Sequence, residues 1–238
     1  MTAAAIAPLI EISGVLKHYP ALRPLRIAAL SVAASDRLVL AGFDAAAAEV
    51  FIHLVTGASL PDEGDIRVDG RSTRDIATDT EWLVSLDRFG IVTHRAVLID
   101  AIPIAQNLAL PMTLSIDPMP AEIRARVEQV ARDAGLDVAR IDEPARTLSD
   151  AERLRVHFAR AMANSPALIL LEHPTAALTE RAESEGFGQT LRNASSTRGF
   201  GFVALSEDEE FAAACGGEKL RLKAATGALG KKRWWSAG

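Results

Sequence analysis

The chain has 238 residues, 49% of them hydrophobic, and a formal net charge of −5. That length suffices for one α/β domain with a subdomain, and the acidic balance argues against a general grip on nucleic acid. The single cysteine, Cys215, excludes an intramolecular disulfide and suits a reducing compartment. No run of about 18 apolar residues occurs and the first dozen residues lack a basic leader pattern, so a cytoplasmic protein without a membrane span is expected.

Residues 9–12 and 27–32 read as strands on either side of a turn at Tyr19 and Pro20. Residues 37–41 form a short apolar run between Asp36 and Gly42, which suits a buried strand. Residues 45–56 are helical by content and stop at Gly57. Next come a turn at 61–65, a short strand at 66–68, a turn at Asp69 and Gly70 and a strand at 89–93. From about 94 to 160 the pattern is helical: Ile123, Val127, Val130 and Ala131 recur at helical spacing, and Ser149 with Glu152 three residues on forms a capping box for a helix over 149–164. The continuous apolar runs 167–171 and 202–205 read as buried parallel strands, with helices at 180–197 and 208–215 and a short strand at 220–222. His18, His53 and His157 have no metal-ligand spacing and read as structural, so no metal site is expected.

The segment after the 37–41 run carries the chemistry. Gly42 holds the first position of the phosphate-loop pattern G-x-x-x-x-G-K-[ST], but Ala47 replaces the second glycine, Ala48 the lysine and Glu49 the hydroxyl residue. A working loop needs free backbone N–H groups, a lysine on the β/γ-phosphates and a hydroxyl on Mg²⁺. Here methyl groups and a carboxylate stand in those places. Alone, an alanine run is an ordinary helix start. The ordered motifs on the C-terminal side of this segment outweigh that reading.

Together the segments resemble the nucleotide-binding subunit of an ATP-binding cassette (ABC) transporter, over roughly residues 9–229. Leu16, Lys17, His18 and Tyr19 resemble the family's aromatic loop, where Tyr19 either stacks on adenine or, without phosphate contacts, simply packs. Gly57, Pro61, Gly64 and Gly70 match the stretch after the loop helix. His94 stands at the glutamine of the Q-loop, and Gln106 to Pro111 resemble the helical stretch behind it. Leu148, Ser149, Asp150, Ala151 and Glu152 resemble the signature motif L-S-G-G-[QE] with both glycines replaced. Residues 168–175 resemble Walker B, with Glu172 for its aspartate and His173 for its catalytic glutamate; Glu207 takes the place of the switch histidine.

The resemblance implies an α/β P-loop NTPase fold of the ABC type: a RecA-like core with an antiparallel β subdomain over 1–93 and 160–230, an α-helical subdomain over 94–159, and a basic-aromatic tail over 231–238. Residues that build the fold are retained while Ala48, Glu49, Glu172, His173 and Glu207 stand where phosphate, Mg²⁺ or water would be handled. The implied function is a catalytically degenerate subunit with no cofactor at its own site, any ATP and Mg²⁺ being shared at a partner's site through Ser149. Its implied partners are an active cassette subunit, in a heterodimer, and an integral-membrane permease, which would hold the chain peripherally on the inner face of the membrane; nucleic acid is not among them. The alternatives are a structural subunit with no nucleotide role and a slow ATPase acting through Glu172 and His173. The tail, with Lys231, Lys232, Arg233, Trp234 and Trp235, is read either as an interfacial anchor or as a partner-docked end.

Overall fold

Alternation of buried and exposed side chains forms the first strands, β1 (Ile10–Lys17) and β2 (Leu25–Val32), whose Ile10, Ile12, Ile27 and Val32 face inward. A computed structural model describes residues 7–231, so most of the tail, 232–238, lies outside the described residues. β1 pairs antiparallel with β2 and with β4 (Glu63–Val68), and β5 (Arg71–Ser72) completes this sheet in the order β2-β1-β4-β5. The β1–β4 register shifts between Ser13 and Leu16. There the two backbones approach so closely that a Cβ on Gly64 (φ +79) would lie 2.4 Å from the Gly14 carbonyl oxygen, which explains a glycine at position 64.

The second sheet is built from runs that are apolar on both faces: β3 (Arg37–Ala41), β6 (Phe89–Val92), β7 (Leu168–Glu172) and β8 (Gly201–Leu205). With β9 (Glu218–Lys223) and β10 (Ala228–Lys231), its order among the described residues is β10-β9-β3-β8-β7-β6, parallel throughout except for the terminal β9–β10 hairpin. The Ala28 N–H donates to the Gly227 carbonyl at 2.8 Å, tying the hairpin turn to β2.

Helices cover the parallel sheet. α1 (Ala45–Val55) packs Phe51, Ile52, Leu54 and Val55 under one face; α6 (Arg181–Arg198) and α7 (Glu209–Ala214) cover the other. A helical layer of α3 (Ile104–Ala109), α4 (Ala121–Asp133) and α5 (Asp150–Met162) is inserted between β6 and β7. Its apolar stripe, Ile123, Val127, Val130 and Ala131 from α4 with Leu154 and Phe158 from α5, joins the core beneath β7 and β8. The fully buried Phe158 ring meets Phe187 edge-on at 5.6 Å and Phe200 at 6.4 Å, and Phe187 stacks on Phe211 at 5.9 Å. Each such pair adds about 0.5–1.5 kcal/mol beyond area burial, and together they join the inserted helices to the sheet.

One helix has no counterpart in the sequence pattern. α2 (Asp79–Leu86) buries none of its residues, so it has no apolar stripe to detect; Thr78 caps it, and the Trp82 indole donates to the Thr56 carbonyl at 2.9 Å. Among the described residues, no helix is long and apolar enough to cross a membrane.

Candidate functional site

The C-terminal ends of β3, β7 and β8 converge with the start of α1 and the segment leaving β6. Gly42 comes directly after β3 with φ +91, and a Cβ there would lie 2.7 Å from the Leu222 carbonyl oxygen of β9, so a side chain has no room. Its N–H donates at 2.5 Å to Oε1 of Glu207, just past the end of β8; the other oxygen of Glu207 accepts from Arg221 of β9 at 2.6 Å.

Asp44 then caps α1, its carboxylate accepting from the Ala47 N–H at 2.8 Å while the Ala48 N–H donates to the Asp44 carbonyl at 2.9 Å. Residues 45–48 are therefore the first turn of a helix, in which the Ala47 and Ala48 N–H groups are already taken. Ala47 is 6% exposed and Ala48 fully buried. Tyr19 lies alongside, packed half-buried against the core; burial first, and the Asp44 charge second, raise its pKa.

Glu172 ends β7 and its side chain is wholly buried. Thr93 Oγ1 donates to it at 2.8 Å, and Arg95 makes a two-pronged contact, Nη1 to Oε1 at 2.8 Å and Nη2 to Oε2 at 2.6 Å. The same Arg95 Nη1 lies 3.3 Å from Oε2 of Glu49 on α1. One guanidinium thus joins the loop helix to the end of β7. His94 is mostly exposed, with its Nδ1 4.0 Å from Glu172. His173 stands just beyond β7 in the left-handed region (φ 40), its N–H donating to the Leu205 carbonyl at 2.9 Å and its Nε2 buried without a partner among the described residues.

The structure therefore gathers Gly42, Glu49, Glu172 and Glu207, with His94, His173 and Tyr19 beside them. Thr93, Arg95 and Arg221 complete the cluster. Sequence motifs assign Arg95 and Arg221 no role and leave Glu49 and Glu207 free to face a triphosphate; both carboxylates are in fact paired. The available signal was charge balance: two carboxylates at pattern positions that ordinarily take a hydroxyl and an imidazole call for nearby cations. Among the described residues, no group of three or more His, Cys, Asp and Glu side chains could hold a metal ion.

Comparison with known proteins identifies the family and the fold. The family model for the ABC transporter matches residues 25–176. The chain belongs to the ABC transporter cassette family. It is 32% identical over 175 residues to the methionine import ATP-binding protein MetN of Brucella abortus, covering 74% of this chain and 47% of that protein. It is 27% identical over 199 residues to the ABC transporter ATP-binding protein YtrE of Bacillus subtilis, covering 83% and 84%. The chain thus spans about half the length of the methionine import relatives and most of the length of YtrE. The fold is that of the dimeric bacterial cassette MJ0796, with a TM-score of 0.75 at 23% identity over 95% of this chain and all of that one.

Residues 148–152, which resemble the signature motif, lie at the start of α5 in the helical layer. Ser149 caps α5 in a complete capping box: its hydroxyl accepts from the Glu152 N–H at 3.3 Å and its own N–H donates to the Glu152 carboxylate at 2.9 Å. The Ser149 N–H, with a further contribution from Arg140, holds the Glu152 carboxyl below its usual range. Leu148 is buried, Asp150 is exposed and Ala151 is half-buried.

A groove of about 290 Å³ runs between the sheet edge and the helical layer, lined by Phe89, Ala96, Pro111, His157, Arg160 and Asn164. Burial, then the charges of Arg160 and Arg153, lower the His157 pKa from 6.5 to about 4. The unfolded chain takes up this proton near pH 6.5 and the folded chain only near pH 4, so stability is lost as pH falls through that window. Urea midpoints of the wild type are expected to fall more steeply across that window than those of His157→Leu; parallel curves would show that His157 titrates normally.

Proposed function

We propose that this chain is a cassette subunit that does not hydrolyse ATP at its own phosphate loop, pairs with an active cassette subunit and couples it to an integral-membrane permease. The observation that carries the reading is Arg95 spanning Glu49 and Glu172. In a P-loop site the metal is held between a loop hydroxyl and the Walker B carboxylate. Here Glu49 and Glu172 occupy those two pattern positions and a guanidinium lies between them. The Glu207 carboxylate takes the Gly42 N–H, a group that would otherwise face phosphate. The residues present do not fit a triphosphate with Mg²⁺.

The helical unit over 94–159 would carry the signature. Ser149 would be offered to a partner's nucleotide in a head-to-tail pair, and the groove by Ala96 and Pro111 would receive a permease segment. Leu83, Val84 and Val97, exposed apolar side chains on elements that border the groove, suit such a contact. This would hold the chain peripherally on the inner face of the membrane.

Calorimetric titration of the purified chain with Mg-ATP to millimolar concentration tests the site. No heat of binding is expected; one-to-one binding would refute the reading of Gly42, Glu49 and Glu172.

A structural subunit with no nucleotide role is favoured by one observation. The capping box already engages the Ser149 and Glu152 N–H groups, donors at the start of α5 that a partner's phosphate would need. Co-purification with the partner subunit separates the two. Mg-ATP strengthens the complex if Ser149 serves a shared site, and leaves it unchanged if the role is structural only.

A further inference from the structure

Arg95 begins a chain of polar contacts that leads away from the site. It stands in the segment 93–103, which leaves β6 for the helical layer. Beyond it the Val97 carbonyl accepts from Arg160 Nη1 at 3.0 Å, and Asp100 accepts from Arg153 Nη1 at 3.0 Å. Both arginines lie on α5, the helix that Ser149 caps. The loop between is closed by fully buried Asn107, which accepts from the Ile99 N–H at 2.9 Å and donates to the Ile99 carbonyl at 3.0 Å and the Pro103 carbonyl at 3.3 Å. Leu98 anchors the same segment in the core. One continuous set of contacts therefore links α1 and β7, through Arg95, to the signature helix.

We infer that Arg95 is a positioning residue that stands in for the bound cation, holding the segment 93–100, and with it α5, in a fixed relation to the sheet without nucleotide. This role rests on the proposed loss of nucleotide handling at the chain's own phosphate loop. The physical reason is charge. Glu172 is a wholly buried carboxylate that needs a cation, and in a working site the metal and its nucleotide supply positive charge and bridging contacts only while bound. A guanidinium covalently part of the segment supplies both permanently, and its fork engages both oxygens of Glu172 while one prong reaches Glu49. The signature face of this subunit is then presented to its partner in one arrangement throughout the partner's nucleotide cycle.

Amide hydrogen exchange read out by mass spectrometry on the full chain tests this. Arg95→Gln is compared with the wild type, each with and without millimolar Mg-ATP. The double variant Arg95→Met with Glu172→Met removes the contact without leaving a buried lone charge, and guards against a single variant that fails to fold. Exchange over 93–100 is expected to speed up roughly tenfold or more in both variants, as for a segment released to local opening, with α4 and β8 unaffected in the double variant and wild-type rates indifferent to Mg-ATP. Wild-type exchange rates over 93–100 in folded variants would overturn the positioning role while leaving the reading of the site intact. A change in the wild-type segment on adding Mg-ATP would overturn both.

Discussion

Arg95→Ala is expected to lower the unfolding free energy by about 3–5 kcal/mol, the usual result of stripping the partner from a buried charge. The Glu172 side chain is wholly buried, and only the Thr93 hydroxyl and the exposed His94, at 4.0 Å, would remain beside it. At about 2–4 °C per kcal/mol for a chain of this size, the melting temperature should drop by roughly 6–20 °C. The reverse truncation, Glu172→Ala, should cost less. Arg95 is one-third exposed, keeps Glu49, and can turn to solvent. The double variant Arg95→Met with Glu172→Met should recover most of the loss, because well-packed apolar replacements of a buried pair are often neutral. Thermal and urea unfolding of the three variants measure the asymmetry. Equal and small losses in both single variants would mean that the pair contributes no more than a surface contact.

Restoring the phosphate-loop residues is expected to damage the protein without reviving it. In the triple variant Ala47→Gly, Ala48→Lys and Glu49→Ser, the new lysine replaces a fully buried alanine in the first turn of α1. Its ammonium would enter an apolar layer, a cost of several kcal/mol per ion. Serine at 49 would also take from Arg95 one of its two carboxylates. Glu207 would still hold the Gly42 N–H and His173 would still lack a carboxylate, and each missing electrostatic group costs on the order of 10²–10³ in rate. Such losses do not simply multiply, yet phosphate release should remain at the buffer background. A stably folded triple variant with Mg²⁺-dependent release would refute the part assigned to Glu207 and His173 and leave the loss to the three loop positions alone.

Much of the framework was legible along the chain because its causes are local or periodic. The runs 38–41, 167–171 and 202–205 are apolar without a break, since both faces of a parallel strand are covered. The start of α5 was readable because a capping box is closed by residues three apart. The family resemblance, carried by ordered motifs, led to the ABC cassette fold that the comparisons then supported. β10 was missed for the opposite reason. Its four residues bury little, and they form a strand only because β9 supplies the ladder and β2 receives the hairpin turn.

The amino-acid sequence by itself determined most of the elements, the family and which pattern positions carry unusual residues, because helix caps, apolar runs and motif order depend on neighbours a few places away. Tertiary structure alone decided what those residues do to one another. Arg95 and Glu172 are 77 positions apart, and Gly42 and Glu207 are 165 apart. No spacing rule marks such pairs, so on the sequence alone Glu49 and Glu207 are isolated negative charges. Only when β3, β7 and β8 lie side by side do Glu49 and Glu172 meet the Arg95 guanidinium and Glu207 the Gly42 N–H, and of the three Glu172, wholly buried, is the one that must find a partner within the fold.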